Sequence, residues 1–144
     1  MPLATIESKK AAYLAELELL PDSTERFTWL VDFGRRLPAL PESLKGPEFK
    51  VEGCMSQLWL VPEMRAGLCA FRADSDSAIV KGLAGLLCEL YSDATPAAVL
   101  AVEPDFLAEV GILQHLSGNR RNGLGRIRDR IKRFAAAAGT APPG

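Results

Sequence analysis

The run Asp74-Ser75-Asp76-Ser77 is followed by Ile79, Leu83, Leu86, Leu87 and Leu90, which fall on one helical stripe. Four consecutive residues suited to N-capping, then apolar side chains at helical spacing, predict a helix starting at the end of this run. A stripe so rich in leucine must be covered on several sides. The helix is therefore expected to be central and largely buried, with the rest of the chain folded around it.

Elements able to cover it are readable on both sides. Ile6, Tyr13, Leu14, Leu17 and Leu20 recur at helical spacing until Pro21-Asp22 breaks the run. Asp22 with Glu25 resembles a capping box, after which Phe27, Leu30, Val31 and Leu37 line a second helix as far as Pro38. Residues 38–47 hold three prolines and a glycine and predict a surface loop. Phe49–Glu52, Gln57–Val61 and Leu68–Ala73 predict three short strands, the last two joined as a hairpin through Pro62–Gly67. Thr95-Pro96 and Glu103-Pro104 have the form of a cap followed by proline at the first helical position. Leu124, Ile127, Ile131 and Phe134 give the stripe of a last helix. The expected architecture is α+β, a small antiparallel three-stranded sheet packed with helices, forming one domain over residues 1–138 with a disordered tail from 139 to 144.

With 144 residues, 48% hydrophobic and 24% charged, the chain is long enough for one ordinary core and too apolar to be disordered. Its formal net charge of -1 supplies no overall field for nucleic acid or an anionic membrane. No apolar run approaches a membrane span, and Glu7 and the lysines interrupt any signal-peptide core, so a soluble, cytoplasmic protein is expected. A local basic cluster, Arg120, Arg121, Arg126, Arg128, Arg130, Lys132 and Arg133 against Asp129 alone, reads as a solvated helix face suited to a C-terminal dipole. It lacks the interleaved aromatics of a nucleic-acid site.

Three cysteines cannot all pair within the chain, and none forms a C-x-x-C unit, so a disulfide scaffold is not expected. Cys69 lies on a predicted strand and Cys88 in the central helix, where each reads as a small buried hydrophobe. Cys54 differs, because Gly53 precedes it and Met55-Ser56-Gln57 follow it at a turn between predicted strands. Glycine there lets backbone amides approach the sulfur, where they would stabilise a thiolate. The tetrapeptide alone reads more readily as a half-buried turn cysteine than as a catalytic one, because such tetrapeptides are common. Scattered cysteines and a single histidine, His115, disfavour a metal site and a thiol-protease pair. Neither G-x-G-x-x-G nor G-x-x-x-x-G-K-S/T is present, which disfavours a nucleotide enzyme.

Three stretches in order resemble the SufE family of sulfur acceptors: Val51-Glu52-Gly53-Cys54-Met55-Ser56-Gln57-Leu58-Trp59, then Asp74 through Leu83, then Gln114-His115-Leu116-Ser117 through Asn122-Gly123-Leu124. Leu37-Pro38-Ala39-Leu40-Pro41 is similar to the family's proline-punctuated segment. The resemblance implies a fold shared with the iron-sulfur scaffold of the U type (IscU-like) and a protein that is not itself an enzyme. It implies further that Cys54 accepts persulfide sulfur from a pyridoxal-phosphate cysteine desulfurase (SufS- or CsdA-like), and that the carrier holds no cofactor or metal. Delivery would be to a SufBCD-type scaffold or another acceptor. Arg120 matches a family arginine and becomes a desulfurase contact, with Asp76 and His115 as further contacts, although Asp76 equally suits the cap of the central helix. The sequence departs from the family at Met55, where glutamine is common, at Ala73, where glycine is common, and at Gly118, where proline is common. An iron-sulfur or zinc scaffold on the same fold is the alternative reading.

Overall fold

The computed structural model describes residues 5–52 and 57–140 of the chain. In chain order the elements are α1 (Ile6–Glu18), α2 (Ser23–Arg35), β1 (Leu58–Arg65), β2 (Leu68–Ser75), α3 (Ala78–Tyr91), α4 (Pro96–Ala101), α5 (Phe106–Glu109) and α6 (Gly118–Thr140). Single 3₁₀ turns lie at Glu42–Leu44, Pro47–Phe49 and Leu113–His115. The expected α+β class is the one observed.

Helix starts follow local chemistry. Asp22 accepts the Glu25 N–H at 2.9 Å, Ser77 accepts that of Val80 at 3.4 Å, and Thr95 accepts that of Ala98 at 3.2 Å with Pro96 opening α4. Each hydroxyl or carboxylate satisfies an N–H that has no partner within its helix. The cap of α3 is thus Ser77, not Asp76. Glu103-Pro104 does not open a helix; α5 begins at Phe106 after Asp105.

Ten of the 14 residues of α3 are buried, as its leucine stripe predicts, and the helix packs against α2, β2 and α6. Contact with α2 is close because glycines meet there. A Cβ on Gly34 would lie 2.8 Å from the Gly82 nitrogen, and one on Gly82 would collide with the Leu30 carbonyl oxygen. Two lysines close helix carbonyl ends: Lys9 of α1 donates to the Glu89 and Ser92 oxygens at the end of α3. Lys132 of α6 donates to the Val99 and Val102 oxygens around the end of α4, with its ammonium 5.1 Å from the Tyr91 ring centre.

The sheet has two strands among the described residues, not three. The segment expected as the first strand contributes only a 3₁₀ turn and an isolated bridge, Lys50 to Trp59, with the Val51 N–H donating to the Leu58 oxygen at 2.8 Å. Pro47 starts that turn and leaves too few residues to extend the pairing. The hairpin is tighter than expected, since β1 continues through Pro62 to Arg65 and turns on Ala66 (φ 51°) and Gly67 (φ 82°). Two successive residues at positive φ match the twist of a two-residue hairpin. Pro62 is tolerated inside β1 because it faces Phe71, whose N–H and C=O turn the other way, toward the Ser92 hydroxyl. The ladder therefore never calls on the N–H that proline lacks. At the other end of the chain α6 runs through Gly139 and Thr140, two residues past the expected domain boundary.

Candidate functional site

Gly53, Cys54, Met55 and Ser56, the core of the sequence-predicted site, lie outside the described residues. The chain on either side is described and tightly held. On the upstream side Val51 is buried and bonded to Leu58, and the Arg130 guanidinium of α6 donates to the Lys50 oxygen at 3.3 Å. On the downstream side the Gln57 N–H donates to the Asp76 carboxylate at 3.0 Å, and the Asp76 N–H donates back to the Gln57 oxygen at 3.3 Å. The Ser75 hydroxyl donates to that same oxygen at 2.6 Å. Asp76 is thus a clamp on Gln57. Because Val51 bonds to Leu58, the described chain on the two sides of residues 53–56 meets at one place.

Beside that place lies a charge cluster the sequence did not announce. Asp74 is paired with Trp59 across the hairpin and only 4% exposed, yet it is ionised. Its carboxylate accepts the Leu40 N–H at 3.0 Å and the Ser75 N–H at 2.9 Å, and it lies 3.4 Å from the Lys45 ammonium and 3.6 Å from that of Lys81. Burial works to raise the carboxyl. The two N–H groups and the two lysines outweigh it and hold Asp74 below the usual carboxylate range. Lys45 also sits 5.4 Å from the centre of the Trp59 ring, a cation–π contact. One carboxylate therefore joins the proline-punctuated segment, β2 and the first turn of α3 immediately before the residues that clamp Gln57. Asp74 was legible only as a possible helix cap. Lys45, in an aperiodic loop, carried no signal.

The other sequence-predicted residues lie at the start of α6. His115 is exposed in its 3₁₀ turn, its ring edge-to-face with Phe27 of α2 at 6.4 Å. Arg120 is exposed in the first turn of α6, where its N–H is capped by the Ser117 hydroxyl at 3.3 Å. Among the described residues no hydrogen bond or ion pair joins either side chain to Asp76 or Gln57. Because α6 starts at Gly118, Arg120 and Arg121 stand at the positive end of its dipole, not at the C-terminal end expected for the basic cluster.

Cys69 and Cys88 are buried free thiols, and burial raises both above the ordinary thiol range. Cys88 lines a cavity of about 450 Å³ between residues 37–41, β2 and α3. A protonated thiol in that apolar wall is a poor nucleophile. No three His, Cys, Asp or Glu side chains among the described residues converge as metal ligands. No helix among them is long and apolar enough to cross a membrane.

The family model described as a SufE, Fe-S metabolism associated domain matches residues 11–135. This chain belongs to the SufE family. An uncharacterized SufE-like protein of Rhizobium etli is 35% identical over 127 residues, covering 82% of this chain and 86% of its own. One of Rhizobium meliloti is 31% identical over 122 residues, covering 81% and 87%. The solution structure of a hypothetical protein from Thermus thermophilus superposes with a TM-score of 0.74 over 92% of this chain and 97% of its own, at 24% identity, and shares the fold. Membership in SufE ties the chain to iron-sulfur metabolism.

Proposed function

We propose that this SufE-family protein is a sulfur carrier and not an enzyme in its own right. Cys54 takes persulfide sulfur from a pyridoxal-phosphate cysteine desulfurase of the reducing cytoplasm, stimulates that enzyme, and passes the sulfur to iron-sulfur cluster assembly through a SufBCD-type scaffold or a similar acceptor. The Cys54 thiolate attacks the outer sulfur of the desulfurase persulfide. A new S–S bond forms to Cys54, the donor's S–S bond breaks, and the donor cysteine leaves as thiolate, so no oxidant or reductant is consumed.

The observation that carries this reading is the contrast among the three cysteines within a SufE chain. Cys69 and Cys88 are enclosed and held protonated, whereas Cys54 follows, in sequence, Val51, which is bonded to Leu58, and precedes the Gln57 held by the Asp76 clamp. Arg120 and His115 serve as partner contacts on the α6 side, and Asp76 acts on the segment itself.

The test uses a cysteine desulfurase with stoichiometric wild-type or variant carrier. Cys54→Ser abolishes stimulation while binding persists, Arg120→Ala weakens binding without lowering the melting temperature, and Cys69→Ala and Cys88→Ala retain stimulation. Full stimulation by Cys54→Ser would overturn the reading.

A further inference from the structure

A second cavity, about 320 Å³, opens at the N-terminal half of α6 between that helix, α5 and the Leu113–His115 turn. Its floor is apolar, formed by Leu107, Leu113 and Leu124, and its rim is charged. The rim charges are nearly all paired within the chain. Arg128 is held by Glu103 and Asp129, and Asp105 by Lys10 at 2.5 Å. Arg121 is the exception: it is exposed, and no carboxylate among the described residues pairs with it.

Two further observations show that this corner is not arranged for the chain's own stability. Arg120 and Arg121 in the first turn of α6, with no acidic residue there, oppose the helix dipole, which favours anions at that end. Gly125, inside the helix, lines the same cavity, and a Cβ built on it meets nothing within 4 Å. A glycine in a helix interior costs stability relative to alanine, and here no neighbour of its own chain needs the space. The bare backbone and the unpaired guanidinium suit something that arrives from outside.

We infer that this cavity is a docking socket for the desulfurase, taking one apolar side chain of the partner over Gly125 and pairing Arg121 with a carboxylate beside it. The charge complementarity decides the occupant. An incoming surface must bring an anion to Arg121 and an apolar group to the leucine floor, which describes an acidic patch around a protruding hydrophobic residue of a folded protein. The inference rests on the carrier reading above and extends the partner surface beyond Arg120.

Gly125→Leu tests it with the helix favoured, because a Cβ at this position meets nothing within 4 Å and leucine is the better helix former. With a cysteine desulfurase as the probe, titrated by calorimetry, Gly125→Leu and Arg121→Glu should each weaken binding about tenfold or more. The melting temperature of Gly125→Leu should equal or exceed that of the wild type. Unchanged affinity for Gly125→Leu and Arg121→Glu, with the wild type still accepting sulfur, would overturn the socket and leave the carrier reading standing. A wild-type chain that neither binds nor accepts sulfur would overturn both.

Discussion

A carboxylate as enclosed as Asp74 persists in its charged form only because every oxygen is engaged, by the Leu40 and Ser75 N–H groups and by Lys45 and Lys81. Removing the charge leaves two partly buried ammonium groups facing an amide. Asp74→Asn is expected to lower the unfolding free energy by about 1–3 kcal/mol near neutral pH. The pH dependence has a definite sign. Asp74 has a folded-state pKa below its unfolded value of about 3.9, so its contribution is fully present above that value and lost as pH falls through the folded pKa. Denaturant unfolding of both proteins should therefore show a gap that is constant above about pH 5 and closes in acid. A gap independent of pH down to full protonation would contradict the assignment. At this scale the sequence was partly legible. The Asp22 cap could be read from side-chain type and spacing, whereas Asp74, Ser75 and Asp76 all looked like caps, and only tertiary contacts with Leu40, Lys45 and Gln57 separate their roles.

Among the elements, α3 was the most legible because its stripe is long and its start is marked, and it is indeed the helix around which the others pack. The strands were less so. A short apolar run such as Phe49–Glu52 has the composition of a strand, but whether it pairs depends on how many residues remain after the Pro47 turn and on what α6 does to Lys50. Pro62 suggested a turn because its missing N–H matters only at alternate positions, and the register was not visible. The glycines of α2 and α3 carry a consequence that composition hides. Gly82→Ala improves helix propensity by about 1 kcal/mol yet drives a methyl into the Leu30 carbonyl, backbone that cannot rotate away. The net expected is destabilisation of about 1–3 kcal/mol, measured by chemical denaturation. A stabilised Gly82→Ala protein would mean that α2 and α3 are not in this contact.

On the scale of the whole molecule, a net charge of -1 conceals an uneven distribution. Arg120 and Arg121 stand at the start of α6, while Arg130, three turns on, reaches Lys50 beside the cysteine segment. The fold thus joins along one helix the cationic end proposed for partner docking and the chain that carries Cys54. The remaining thiols are packed into β2 and α3, where burial keeps them protonated. The central claim is that one thiol of three carries sulfur. It is tested most directly by incubating the protein with a cysteine desulfurase and cysteine, trapping persulfides by alkylation, and locating the added sulfur by peptide mass spectrometry. The account predicts one extra sulfur on the peptide bearing Cys54 and none on those bearing Cys69 or Cys88. Sulfur on either buried cysteine, or none on Cys54 while the desulfurase turns over, would contradict it.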